Sequence, residues 1–107
     1  MNRKIIKYYE TPEGKQPFVV WLNSIKDLSF KRRILLRLNR LTDGNFGDCK
    51  SLGNGLYEFR LDFGSGYRIY YTEEDKVIII LFSGGDKSTQ VRDIAKAKSY
   101  LKEYRGD

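Results

Sequence analysis

A chain of 107 residues with 40% hydrophobic content suits a single domain over residues 1–107 that buries one core without a disulfide or metal framework. Cys49 is the only cysteine and histidine is absent, which excludes internal disulfides, Ser-His-Asp and Cys-His catalysis, the usual zinc sites and histidine-paired RNA cleavage. The 20 basic against 14 acidic residues give a net charge of +6, which favours an anionic partner without identifying it.

The first stretch, RKIIKYYE at 3 to 10, is rich in Ile and Tyr and predicts a strand closed by Thr11-Pro12. It alternates charged and apolar residues too quickly for a signal-peptide core. No run of about 18 apolar residues follows to span a bilayer, so a cytoplasmic protein without membrane contact is expected. Pro17 suits the first turn of a helix whose apolar face is Phe18, Trp21, Leu22 and Ile25, extended by Leu28.

Ser29 is the expected N-cap of a second helix, with Phe30, Ile34, Leu38 and Leu41 as its buried stripe and Gly44 at its end. Arg33, Arg37 and Arg40 share the adjoining face, either snorkelling over the core or meeting phosphates.

From residue 55 the period changes to two. LYEFRLDF (56–63) and YRIYYT (67–72) predict a hairpin around Gly64-Ser65-Gly66. A three-residue loop would pair Phe63 with Tyr67, placing Leu61 opposite Ile69 and Phe59 opposite Tyr71 on one apolar face. The other face would carry Asp62 opposite Arg68 and Arg60 opposite Tyr70, with Glu58 one step further. Ordinary alternation towards solvent also explains such a face, but two mid-strand arginines would be held rigidly by the backbone.

VIIILF at 77 to 82 reads as a strand buried on both faces, hence central in the sheet. A last helix begins near Gln90, with Val91, Ile94, Leu101 and Tyr104 at helical spacing. The resulting order, β-α-α-β-β-β-α, predicts an α+β domain built on a mainly antiparallel sheet.

LFSGGDKSTQ at 81 to 90 is not a Walker A loop, because Leu81 and Asp86 stand where that motif requires glycines. It reads as a strand-to-helix turn capped by Asp86, Ser88 or Thr89. The turn leaves the central strand at a sheet edge and would bring Lys87 towards the face carrying Arg60 and Arg68. Three cations around one phosphate would stabilise the charge that develops when a ribose 2′-oxygen attacks it, without a metal or other cofactor.

GLYEFR (55–60), FGSGYRIYY (63–71), LFSGGDKSTQ (81–90) and DIAKAK (93–98), in that order, resemble the RelE/ParE toxin superfamily, and within it the HigB-like branch of addiction-module killer proteins. The resemblance covers nearly the whole chain. It implies two N-terminal helices against a curved antiparallel sheet, and a toxin neutralised by a cognate antitoxin with a helix-turn-helix DNA-binding domain, through which alone operator DNA would be reached. In the ribonuclease branch, mRNA is cleaved on the ribosome by basic and tyrosine side chains of the concave face.

Carried over by motif, Arg60, Arg68 and Lys87 are the catalytic candidates. Lys50 represents a lysine-rich loop of better-understood relatives. With Tyr70, Arg33, Arg37 and Arg40 it completes the RNA-binding candidates, while Lys87, Asp86, Tyr70, Tyr100 and Tyr104 remain open as proton acceptors. The same resemblance admits a ParE-like inhibitor of DNA gyrase, or an inactive module acting only with an antitoxin in autoregulation.

Overall fold

The computed structural model describes residues 3–107. In chain order the elements are β1 (Ile5–Tyr8), α1 (Pro17–Ser24), α2 (Leu28–Thr42), β2 (Cys49–Gly53), β3 (Leu56–Arg60), β4 (Arg68–Glu74) and β5 (Ile78–Gly85). A 3-10 turn (Lys87–Thr89) then leads into α3 (Gln90–Arg105). The five strands form one sheet in the order β1-β5-β4-β3-β2. β1 runs parallel to β5, and every other neighbouring pair is antiparallel.

The α+β class matches the sequence expectation, but the element order gains a strand. β2 is invisible to periodicity because CKSLG has no alternating apolar face and lies half-buried or exposed at the sheet edge. Main-chain pairing with β3 fixes it instead.

Pro17 opens α1 as expected, at a position where the missing N–H has no intrahelical partner to lose. α2 begins one residue before the expected cap. The Asp27 carboxylate, not Ser29, accepts from the Ser29 backbone N–H at 2.9 Å and the Phe30 N–H at 3.4 Å. Leu28 thereby falls in the first exposed turn at 64% exposure and does not extend the α1 face. Ile34, Leu38 and Leu41 are buried as predicted, with Phe30 half-buried beside them.

The sheet is covered on both faces. On one, α1 and α2 pack Phe18, Ile34, Leu38 and Leu41 against Phe59, Leu61, Ile69, Tyr71, Ile79 and Leu81. On the other, α3 sets Ala97 and Leu101 over Leu56, Tyr70, Ile80 and Phe82. The second face is therefore no open polar surface, contrary to the hairpin reading. Val91, expected on the buried side of α3, is 87% exposed, because the helix turns Asp93, Ala97 and Leu101 inwards.

The hairpin keeps the predicted faces but slips by two residues. Phe59 pairs with Ile69, Arg60 with Arg68 and Glu58 with Tyr70. The expected pairs of Leu61 with Ile69, Phe59 with Tyr71, Arg60 with Tyr70 and Asp62 with Arg68 do not form. A turn over Phe63 to Gly66 lies inside a last Leu61–Tyr67 contact, with the Leu61 N–H donating to the Tyr67 carbonyl at 2.9 Å. Since side chains alternate with period two, a slip of two leaves every residue on its face and changes only its partner.

A bulge interrupts the pairing of β4 with β5. Tyr70 pairs with Ser83 but Tyr71 pairs with Leu81, leaving Phe82 as the extra residue of β5. The alternation inverts there: Ser83 follows Phe82 onto the α3 side, Gly84 lies under Trp21 of α1, and Gly85 lies under Asp93 of α3. Any Cβ at Gly84 or Gly85 would collide with those side chains. No helix among the described residues is long and apolar enough to cross a membrane.

Candidate functional site

The slipped register sets Arg60 directly opposite Arg68, with Gly85 opposite Arg68 on the other side. Opposite residues share a sheet face, so both guanidiniums stand on the α3 side, where that helix has only just begun at Gln90. Like charges facing across strands destabilise by up to about 1 kcal/mol. A buried carboxylate offsets this.

Glu58 is 0% exposed. It accepts from Arg60 Nε at 3.0 Å, Tyr70 Oη at 3.1 Å and Gln90 Nε2 at 2.8 Å. Burial alone would push its carboxyl up, but the bonds from Gln90, Arg60 and Tyr70 outweigh that and hold it below the usual range. Glu58 is thus an ionised anchor that fixes the direction of Arg60, whose side chain remains about one-third exposed.

Arg68 is aimed by the hairpin turn. Its Nη1 donates to the Gly66 carbonyl at 2.6 Å, while its Nε is buried with no hydrogen-bond partner among the described residues. Gly66 has φ +77°, and the point where its Cβ would stand is 3.1 Å from Arg68 Nη1 and 3.3 Å from Lys87 Cβ. Glycine takes that φ without strain and leaves Arg68 and the Lys87 backbone where they are.

Lys87 is held there through its own backbone, whose N–H donates to the Ser65 carbonyl at 3.4 Å. Asp86 accepts from Ser65 Oγ at 3.1 Å and from the Ser88 backbone N–H at 2.9 Å. The Ser88 hydroxyl donates to it as well, at 2.6 Å, and these bonds, led by that hydroxyl, pull its carboxyl below the usual range. The capping expected of Asp86 is present and occupies its carboxylate. The Lys87 side chain itself is exposed.

Arg60, Arg68 and Lys87 therefore gather at one end of the sheet. Exposed Lys50 stands opposite Glu58 on the edge strand and so rims the same face. Tyr70 lies in this row but is wholly buried beneath α3, with its hydroxyl given to Glu58. Its place as an RNA contact is corrected to that of a support for the anchor. Burial and the nearby Glu58 both push its hydroxyl upwards.

The arginine stripe of α2 belongs to the opposite layer. Arg33 stacks 4.0 Å above the Phe63 ring, and Arg37 pairs with Asp62 at 2.9 Å. Arg40 is exposed further along. The first two tie α2 to the hairpin tip.

Tyr104 donates to Glu74 at 2.5 Å. Glu74 ends the strand that Arg68 begins, about 20 Å away at the strand rise, so Tyr104 is remote from the cluster. Tyr100 packs against Tyr9. Sequence reasoning misses Glu58 and Gln90 as site residues. Period two already puts Glu58 on the face of Arg60, whereas nothing local marks Gln90, which arrives from 32 positions away.

Chemically, two fixed guanidiniums and an ammonium, with one guanidinium N–H unpaired, suit a phosphate or another oxyanion. Fold and site together define a class: a three-layer α+β domain whose mixed sheet ends in a cationic cluster beside the start of its last helix. The chain belongs to the same family as an "Uncharacterized protein" of Haemophilus influenzae (strain Rd), to which it is 48% identical over 86 residues, covering 80% of this chain and 87% of that one. No protein-family model matches the sequence.

Proposed function

We propose that the protein is a RelE/ParE-like toxin of a type II toxin-antitoxin system, of the HigB-like kind, acting as a metal-independent, ribosome-dependent mRNA endonuclease. The observation that carries the reading is the convergence of Arg60, Arg68 and Lys87 at one sheet end. The ordered motifs GLYEFR, FGSGYRIYY, LFSGGDKSTQ and DIAKAK add to it. The parallel β1–β5 pair and the extra edge strand depart from the order expected from the sequence.

In the proposed reaction the ribose 2′-oxygen attacks the adjacent phosphorus. Its O–P bond forms as the bond to the 5′-oxygen breaks; water takes the 2′-hydroxyl proton and returns one to the departing 5′-oxygen, leaving a 2′,3′-cyclic phosphate and a 5′-hydroxyl. Arg60 and Arg68 bear the charge gathered on the non-bridging oxygens. Lys87, exposed at the rim of the cluster, holds the phosphate from the open side. Lys50 steadies the neighbouring backbone. A cognate antitoxin with a helix-turn-helix domain would neutralise the protein in the cytoplasm and alone contact operator DNA.

The test adds purified protein to translating ribosomes and maps mRNA ends. Cuts ending in cyclic or 3′-phosphate are expected. Inhibited supercoiling by purified gyrase with intact mRNA would replace this reading with the gyrase one. Normal growth at good expression without antitoxin would favour an inactive module.

A further inference from the structure

Behind the cationic cluster lies a cavity of about 330 Å³ between α1, α3 and the end of β5. That is at the lower end of the range that holds small ligands, roughly 300–1,000 Å³. Its floor is made by the β5 bulge, which turns Ser83 towards α3. Ser83 is 8% exposed, and its Oγ has no hydrogen-bond partner among the described residues. An orphaned buried hydroxyl destabilises a fold by about 1–3 kcal/mol unless something satisfies it. Asp93, also 8% exposed, lines the same cavity and accepts from Thr89 Oγ1 at 2.5 Å. Trp21 and Tyr100 supply aromatic wall, and Lys15 and Lys96, with Thr11 and Ser24, add to the polar lining.

These groups specify a ligand. Aromatic walls take a flat ring, a carboxylate takes adjacent N–H donors, a hydroxyl takes an acceptor or donor beside them, and lysines take a phosphate. Among nucleobases, guanine alone offers two adjacent donors, N1–H and the 2-amino group, to one carboxylate. Uracil would bring carbonyl oxygens against it, and adenine and cytosine would each bring a ring acceptor beside their amino group.

We propose that the cavity formed by Ser83, Asp93, Trp21 and Tyr100 is a nucleobase site selective for guanine. For its biological ligand the proposal rests on the RNA-cleaving reading, in which it would place cleavage next to a guanine. The two sites share a wall: Gly85 is opposite Arg68 in the ladder and lies directly under Asp93. A base in the cavity and a phosphate at the cluster thus lie either side of one strand end.

Trp21 is the only tryptophan, so its fluorescence reports on the cavity directly. The full chain is titrated with GMP, AMP, CMP and UMP by calorimetry, with Trp21 emission followed in parallel. GMP is expected to saturate the signal and to bind at least about tenfold more tightly than the others. Ser83→Ala should weaken GMP about tenfold and Lys96→Ala a few-fold, both with unchanged melting cooperativity. Absence of saturable binding by any nucleotide, equal binding of AMP, or a Ser83→Ala variant that binds GMP like the parent would each overturn the proposal. Selective GMP binding without mRNA cleavage leaves the cavity assignment standing and removes the RNA-cleaving reading. Cleavage without GMP binding does the reverse.

Discussion

The two faces of the sheet are built from the same strands by opposite rules. Beneath α1 and α2 the buried cluster is hydrophobic, and its residues follow one another at strict alternation along β3 and β4. Beneath α3 the cover is incomplete: Leu56, Ile80, Phe82, Ala97 and Leu101 make an apolar patch, but beyond it lie a buried carboxylate, two arginines and an orphaned serine. The lesson is that a site forms where the covering helix stops. α3 begins at Gln90, so it shields Tyr70 and Glu58 but leaves Arg60 and Arg68 half in solvent.

The sharpest way to break the contrast is on the dry face. Ile34→Ala should cost about 2–5 kcal/mol through the cavity it leaves, read as a lower urea midpoint, with residual folded protein keeping its activity per molecule. Arg68→Ala tests the opposite rule: about 100- to 1,000-fold less mRNA cleavage at nearly parental stability. Arg60→Ala should lose cleavage alike but also lower stability, because it strips a bond from the buried Glu58 carboxylate, and either variant cleaving as well as the parent would remove the site assignment.

Glu58 joins the two rules, being buried like the core and charged like the site. Glu58→Gln should cost about 1–3 kcal/mol, because Gln90, Arg60 and Tyr70 would then donate towards an amide. It should also flatten the acid limb of stability. The Glu58 carboxyl is held below its ordinary value near 4.5, so the stability it adds is complete above that value and is lost as pH falls through the lowered one. Melting temperature followed from pH 7 down to about pH 3 checks this. A variant as acid-sensitive as the parent would contradict it.

The smallest expected change is Lys87→Arg. Arginine keeps a cation on the phosphate but accepts no proton near neutrality, so cleavage within a few-fold of the parent marks a phosphate ligand. A loss of about 100-fold would make Lys87 the general base.

Particular elements show how far the sequence could be read. The α2 stripe was legible because Ile34, Leu38 and Leu41 repeat at helical spacing and bury accordingly. The strand faces were legible too, since a two-residue slip cannot move a side chain across a sheet. β2, by contrast, has no apolar pattern of its own, and the spacing of Val91 suggests burial although the helix turns Asp93 inwards instead. Arg60 and Arg68 could be named, but their direct pairing could not, because it depends on how the chain turns between Phe63 and Gly66.

The sequence by itself therefore determined the α+β class, the helices, and which residues of β3 and β4 share a face, because periodicity is a local property of the chain. Tertiary structure alone decided the hairpin register, the parallel docking of β1, the bulge that turns Ser83 inwards, and the Gln90 contact that anchors Glu58. Those depend on distant segments meeting, where packing and hydrogen-bond satisfaction choose among arrangements that local pattern leaves equivalent.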